Sequence, residues 1–104
     1  MKWGEVWWAE LGSPAGRRPV VLLSRDEAYA VRSLVIVAPI TTRMRHIPSE
    51  VVLGPDNGMP RDCVANLDTM TTVPKDCLRS RLTSPSPQKL KEMEAAIHFV
   101  LGLE

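Results

Sequence analysis

The sequence predicts a mainly β fold, a small barrel capped by a C-terminal helix, on three observations. Short runs of β-branched and aromatic residues recur through residues 1–83, separated by clusters of Gly, Pro, Asn, Asp and Ser, as in folds of many short strands. Residues 86–102 change to an apolar repeat at helical spacing. The chain has 104 residues, 44 % hydrophobic and 24 % charged, a size and balance suited to one globular domain. A single domain over residues 1–104 is therefore expected, with the barrel in 1–83 and the helix in 86–102.

The elements follow in order. Residues 5–11 have the aromatic and β-branched content of a strand, broken by Gly12-Ser13-Pro14-Ala15-Gly16. Residues 18–24 form a second strand, with Pro19 at its start, where a missing N–H is tolerated. One helical turn is expected over residues 26–30. The run Leu34-Val35-Ile36-Val37-Ala38 marks residues 33–40 as the central buried strand. Residues 50–53, 63–67 and 69–73 supply further strands around a loop at 54–60 rich in turn formers. Ser86 followed by Pro87 is an N-cap with proline at the first helical position. Leu90, Met93, Ile97, Val100 and Leu101 then make the apolar stripe, and Gly102 stands where the helix stops.

Trp7 and Trp8 are neighbours on one strand, so they point to opposite faces. One of them is a candidate interface or ligand platform, unless sheets pack on both faces of that strand. Cys63 and Cys77 are too few for a disulfide scaffold and lack a zinc-ligand spacing, which suggests half-buried thiols in a reducing cytoplasm. No stretch approaches the about 18 apolar residues of a membrane span. The first residues show no apolar signal-peptide core, so a cytoplasmic location is expected.

The net charge of +1 is unevenly spread. Between residues 17 and 45 six arginines face only Asp26 and Glu27, while the flanking segments are slightly acidic. Arginine's planar fork suits phosphate. No phosphate-binding glycine loop, nucleophile elbow or metalloprotease helix is present. Arginines, hydroxyls, a carboxylate and His46 suit RNA transesterification without a metal or cofactor, in which the substrate's own 2′-OH attacks the adjacent phosphorus.

Five segments carry a family resemblance in consistent order: Gly4-Glu5-Val6-Trp7-Trp8-Ala9-Glu10-Leu11, Arg17-Arg18-Pro19-Val20-Val21-Leu22, Val37-Ala38-Pro39-Ile40-Thr41, Glu50-Val51-Val52-Leu53, and Met59-Pro60-Arg61-Asp62-Cys63-Val64-Ala65-Asn66-Leu67-Asp68. Across nearly its whole length the chain resembles the MazF/PemK-type toxin endoribonucleases of bacterial type II toxin–antitoxin systems, which share a fold with the CcdB gyrase poisons. The resemblance implies a seven-stranded SH3-like barrel of the CcdB/PemK type, assembled as a homodimer. It also implies sequence-specific cleavage of single-stranded RNA to 2′,3′-cyclic phosphate and 5′-OH ends. An antitoxin is the implied partner, its disordered tail folding over the dimer groove.

By the same resemblance Arg18 matches the catalytic arginine and Thr41 the catalytic hydroxyl residue. Asp68 matches a position that is often acidic; it is a candidate general base or a turn-capping carboxylate. The first long loop lacks the glutamate that some members carry there, leaving the base open. Arg43, Arg45 and His46, directly after Thr41, are expected to bind RNA, together with Arg17 and Arg61. Two alternatives share this fold: a non-catalytic toxin that binds a protein such as gyrase, and an SH3-like module that binds RNA or protein without cutting.

Overall fold

The computed structural model describes residues 1–103. Seven strands form it: β1 (Val6–Glu10), β2 (Arg17–Leu22), β3 (Leu34–Thr41), β4 (Glu50–Leu53), β5 (Cys63–Asn66), β6 (Thr71–Pro74) and β7 (Leu78–Thr83). A single turn, α1 (Ala28–Val31), and a C-terminal helix, α2 (Pro87–Leu101), complete it, with short 3-10 turns at Pro55–Asn57, Leu67–Thr69 and Lys75–Cys77.

All pairings are antiparallel, in the order β4-β5-β3-β2-β1-β7. β3 is the hub. One edge pairs with β2; the other pairs with β6 over residues 34–37 and with β5 at Ile40 and Thr41. The mainly β prediction holds, but the barrel is open: β4 and β7 end the sheet without pairing with each other. Instead α2 lies against β4 and the Leu67–Thr69 turn. It inserts Met93 and Ala96 among Val51, Leu53 and Leu67, so side-chain packing covers what a closing ladder would have covered.

The sheet buries both faces. Val6, Val21, Ala38, Ile40, Leu53 and Met93 belong to one core, and Ala9, Val20, Leu22, Val35, Val37 and Tyr29 to the other. Residues 20–22 alternate between these cores, as a period of two requires. The same arrangement explains the tryptophans. Trp7 packs beside the second core, Trp3 beside the first, and Trp8 lines a cleft instead of entering either.

Several local expectations need correction. β3 is central but not buried throughout: Leu34 and Ile36, at its start, are 57 % and 41 % exposed, although Ala38 and Ile40 further along the same face are buried. Leu101 is likewise exposed, at the end of a helix stripe that is otherwise turned inward. Cys63 is fully buried, whereas Cys77 is half-buried; both are free thiols. β7 has no strand of its own in the sequence pattern. Pairing with β1 organises it, with Leu78 its one buried residue. The helix boundaries agree with the capping residues: Ser86 Oγ accepts from the Lys89 amide at 3.3 Å, and the chain turns out of the helix at Gly102.

Candidate active site

A cleft of about 360 Å³ opens where β1, β2 and β3 end beside the loop that leads into β5. Trp8 and Pro19 form one wall, Met59, Pro60 and Cys63 the other, and Ile40 reaches it from β3. The polar groups are Arg17, Arg18, Thr41, Thr42 and Arg61. No carboxylate and no imidazole line it among the described residues. Three guanidinium groups without an acidic neighbour in the lining suit the cleft to an anion.

The cleft brings the central pair together. The β2–β3 ladder ends with Val20 opposite Pro39; Arg18 and Thr41 lie two residues beyond it on their strands, and both line the cleft. Arg18 follows the 12–16 turn, and its Nε donates to the Ala15 carbonyl at 2.9 Å. Its terminal nitrogens make no protein hydrogen bond among the described residues, so the group is held at its root with its fork available. Thr41 Oγ1 accepts the Arg43 amide at 3.2 Å. A hydroxyl that accepts in this way still has its own proton to donate. Arg17 lies over the Trp8 ring, 4.8 Å from the centroid, a cation–π contact that ties a second charge to the aromatic wall.

The other sequence candidates lie outside the cleft lining. Arg43, Arg45 and His46 are exposed on the loop that leaves Thr41. There Arg45 pairs with Glu50 at 3.6 Å, and His46 has a positive φ of 56°. Asp68 is exposed on the Leu67–Thr69 turn, its amide bonded to Asn66 Oδ1 at 3.1 Å. The chain there is leaving the site: Val64 opposes Thr41, but by Thr71 it pairs with Val37, four residues back along β3. Asn66 caps this turn, the Asp68 carboxylate accepts no hydrogen bond among the described residues, and Asp68 is not part of the lining that holds Arg18 and Thr41.

Thr42, Met59 and Pro60 carry no site signal in the sequence, and Trp8 carries only that of a possible platform. Residues 59–60 stand beside Arg61 in the chain, but a cleft wall becomes visible only once strand ends and loop converge. Burial pushes the Cys63 thiol up, with Asp62 adding to the effect, which keeps this wall residue a neutral thiol and a poor nucleophile.

Comparisons with known proteins give the family. Residues 2–101 match the family described as PemK-like, MazF-like toxin of type II toxin-antitoxin system. A probable endoribonuclease MazF2 of Mycobacterium tuberculosis is 39 % identical over 93 residues, covering 88 % of this chain and 89 % of the relative. A probable endoribonuclease MazF5 of the same species is 48 % identical over 80 residues, covering 76 % and 72 %. Among solved structures, a mycobacterial endoribonuclease in complex with its cognate antitoxin superimposes with a TM-score of 0.88 at 27 % identity, covering 100 % of this chain and 97 % of that one. With the match spanning all seven strands and the helix, this chain belongs to the PemK-like, MazF-like family of type II toxins.

Proposed function

We infer that this chain is a sequence-specific endoribonuclease toxin that cuts single-stranded RNA in the cytoplasm and is neutralised by a cognate antitoxin. The carrying observation is the cleft itself: Arg18 and Thr41 both line an arginine-rich hollow without an acid. In the proposed reaction the ribose 2′-oxygen bonds to the adjacent phosphorus, and the bond from phosphorus to the 5′-oxygen breaks. The 2′-OH proton leaves to a base, and the departing 5′-oxygen gains a proton, giving 2′,3′-cyclic phosphate and 5′-OH ends. The nucleophile comes with the substrate. The protein's work is to orient it and stabilise charge on the pentacoordinate phosphorus.

Arg18 suits the second task because a guanidinium stays charged at any working pH and offers paired donors to non-bridging oxygens. Thr41 donates its hydroxyl proton to a phosphate oxygen and sets the strand's position. Asp68, outside the cleft, carries no step here, so we assign the rate gain to orientation and charge stabilisation. Arg17, Arg61 and the loop with Arg43, Arg45 and His46 hold flanking phosphates and bases. The open groove lined by Trp3, Leu23, Ile36, Met70, Ile97 and Leu101, with exposed apolar side chains on its rim, supports a homodimer. An acidic antitoxin tail is the complementary partner for the arginine-lined side.

The test is incubation with a pool of single-stranded RNAs in EDTA, followed by sequencing of the fragments' 5′ ends. Cuts at one short motif are expected. In Arg18→Ala or Thr41→Ala cleavage falls by about 100-fold to 1,000-fold, the usual cost of one transition-state donor. The lack of a proton acceptor in the cleft favours one rival, a binder that does not cut. RNA retention without cleavage by the wild type would establish that rival and refute the enzyme.

A further inference from the structure

A buried carboxylate underlies the basic loop. Glu50 opens β4, and its side chain is only 2 % exposed. Oε1 accepts the amides of Arg45 at 2.8 Å and His46 at 3.2 Å. Oε2 lies 3.6 Å from the Arg45 guanidinium and has no hydrogen-bond partner among the described residues. A carboxylate withdrawn from water needs donors and an opposite charge, and this one obtains both from the loop above it.

The loop has no regular structure of its own, so these contacts determine its shape. It is tied at its start by the Arg43 amide on Thr41 Oγ1 and at its end by the Glu50 amide on the Ile47 carbonyl at 3.0 Å. Between them His46 adopts a positive φ of 56°, a conformation that Asn, Asp and His enter more readily than other side-chain-bearing residues, and its amide donates to the Glu50 carboxylate.

We infer that Glu50 is a positioning residue for RNA binding, holding the loop in the conformation that offers Arg43 and His46 to the substrate while Arg45 serves as the loop's internal counter-ion. This rests on the reading of the loop as an RNA contact. Arg45 is thereby separated from its neighbours: its charge answers Glu50 first, whereas Arg43 and His46 have no ion-pair partner among the described residues.

Glu50→Ala removes every contact. Glu50→Gln keeps one carbonyl for the two amides but sets an NH₂ group against the Arg45 guanidinium. Two readouts follow. Trypsin, which cuts after Arg43 and Arg45, is expected to cleave folded Glu50→Ala about tenfold faster than wild type, with Glu50→Gln between them, as loss of charge-assisted hydrogen bonds implies. In steady-state cleavage KM rises about tenfold while kcat stays within about threefold, the mark of lost binding common to ground and transition states. Arg43→Gln raises KM more than Arg45→Gln.

Unchanged proteolysis, a fall in kcat at constant KM, or the reverse order of the two arginine variants overturns the assignment. If circular dichroism shows Glu50→Ala unfolded, the comparison passes to Glu50→Gln, which must then show faster proteolysis and raised KM. If the wild type cuts no RNA, the enzyme reading fails separately. Trypsin, with binding of a 2′-deoxy-substituted oligonucleotide, then decides the anchor: unchanged values in both variants refute it.

Discussion

Replacing Gly58 with alanine probes how the cleft's loop wall is fastened. Gly58 ends the Pro55–Asn57 turn at φ 81° and directly precedes Met59, which lines the cleft. A Cβ there would overlap Thr83 Oγ1 and stand 2.8 Å from Thr83 Cβ. Thr83 has no free room, because its hydroxyl donates to the Asn57 carbonyl at 2.8 Å, while Asn57 Oδ1 accepts the Ser86 amide at 2.8 Å. The substitution therefore carries two costs. Left-handed backbone in a residue with a Cβ costs about 1 kcal/mol. Displacing Thr83 and losing its hydrogen bond adds about 2 kcal/mol.

Gly16 isolates the first cost, since its φ is 69° and a Cβ there would meet nothing within 4 Å. For a domain of this size about 1 kcal/mol moves Tm by about 6 °C, so Gly16→Ala should lose about 6 °C and Gly58→Ala about 18 °C. The assay is thermal unfolding followed by circular dichroism at one fixed protein concentration, because the Tm of the proposed dimer would depend on concentration. Equal shifts in the two variants would refute the reasoning, showing that Thr83 yields without cost.

Two further outcomes test electrostatics and assembly. Burial alone would raise the Glu5 carboxyl, but hydrogen bonds from the Trp7 indole and the Lys2 amide, the N-terminal charge and Arg81 outweigh it and hold the group below its ordinary value of 4.5. The unfolded chain then binds the proton more readily, so this stabilisation is complete above the ordinary carboxylate range and is lost as pH falls through the lowered folded value. Urea unfolding across that acid range should show a shallower loss in Glu5→Gln than in wild type, and parallel curves would contradict the assignment. Ile36→Glu places a charge in the apolar groove beside Leu101 and should convert the proposed dimer to a monomer in light scattering. A dimeric wild type with an unchanged mass in the variant would remove this face from the interface, and a monomeric wild type would refute the dimer.

What can be read from the sequence divides along physical lines. Strands and helix are legible where local chemistry decides them: the glycine–proline break after β1, the apolar run of β3, and Ser86-Pro87 before α2. β7 is not, because Leu78–Thr83 has little apolar pattern and is ordered by its remote partner β1. Barrel closure is not legible either, since it depends on whether β4 and β7 meet or α2 packs against β4 instead.

The site divides in the same way. Arg18 and Thr41 stand at strand ends, and both line the same cleft. Asp68 looks equivalent in the sequence, yet its turn carries it back along β3. Charge is the most deceptive signal. Six arginines between residues 17 and 45 look alike as letters, but Arg17 rests on Trp8, Arg45 answers Glu50, and Arg18 retains its fork. Glu50, which opens a short strand and has no role assigned from the sequence, is buried and accepts on one oxygen the amides five and four residues earlier. A sequence shows which groups carry charge. Which of those charges are already neutralised within the fold, and which stay open to a phosphate, depends on contacts that only the folded loop creates.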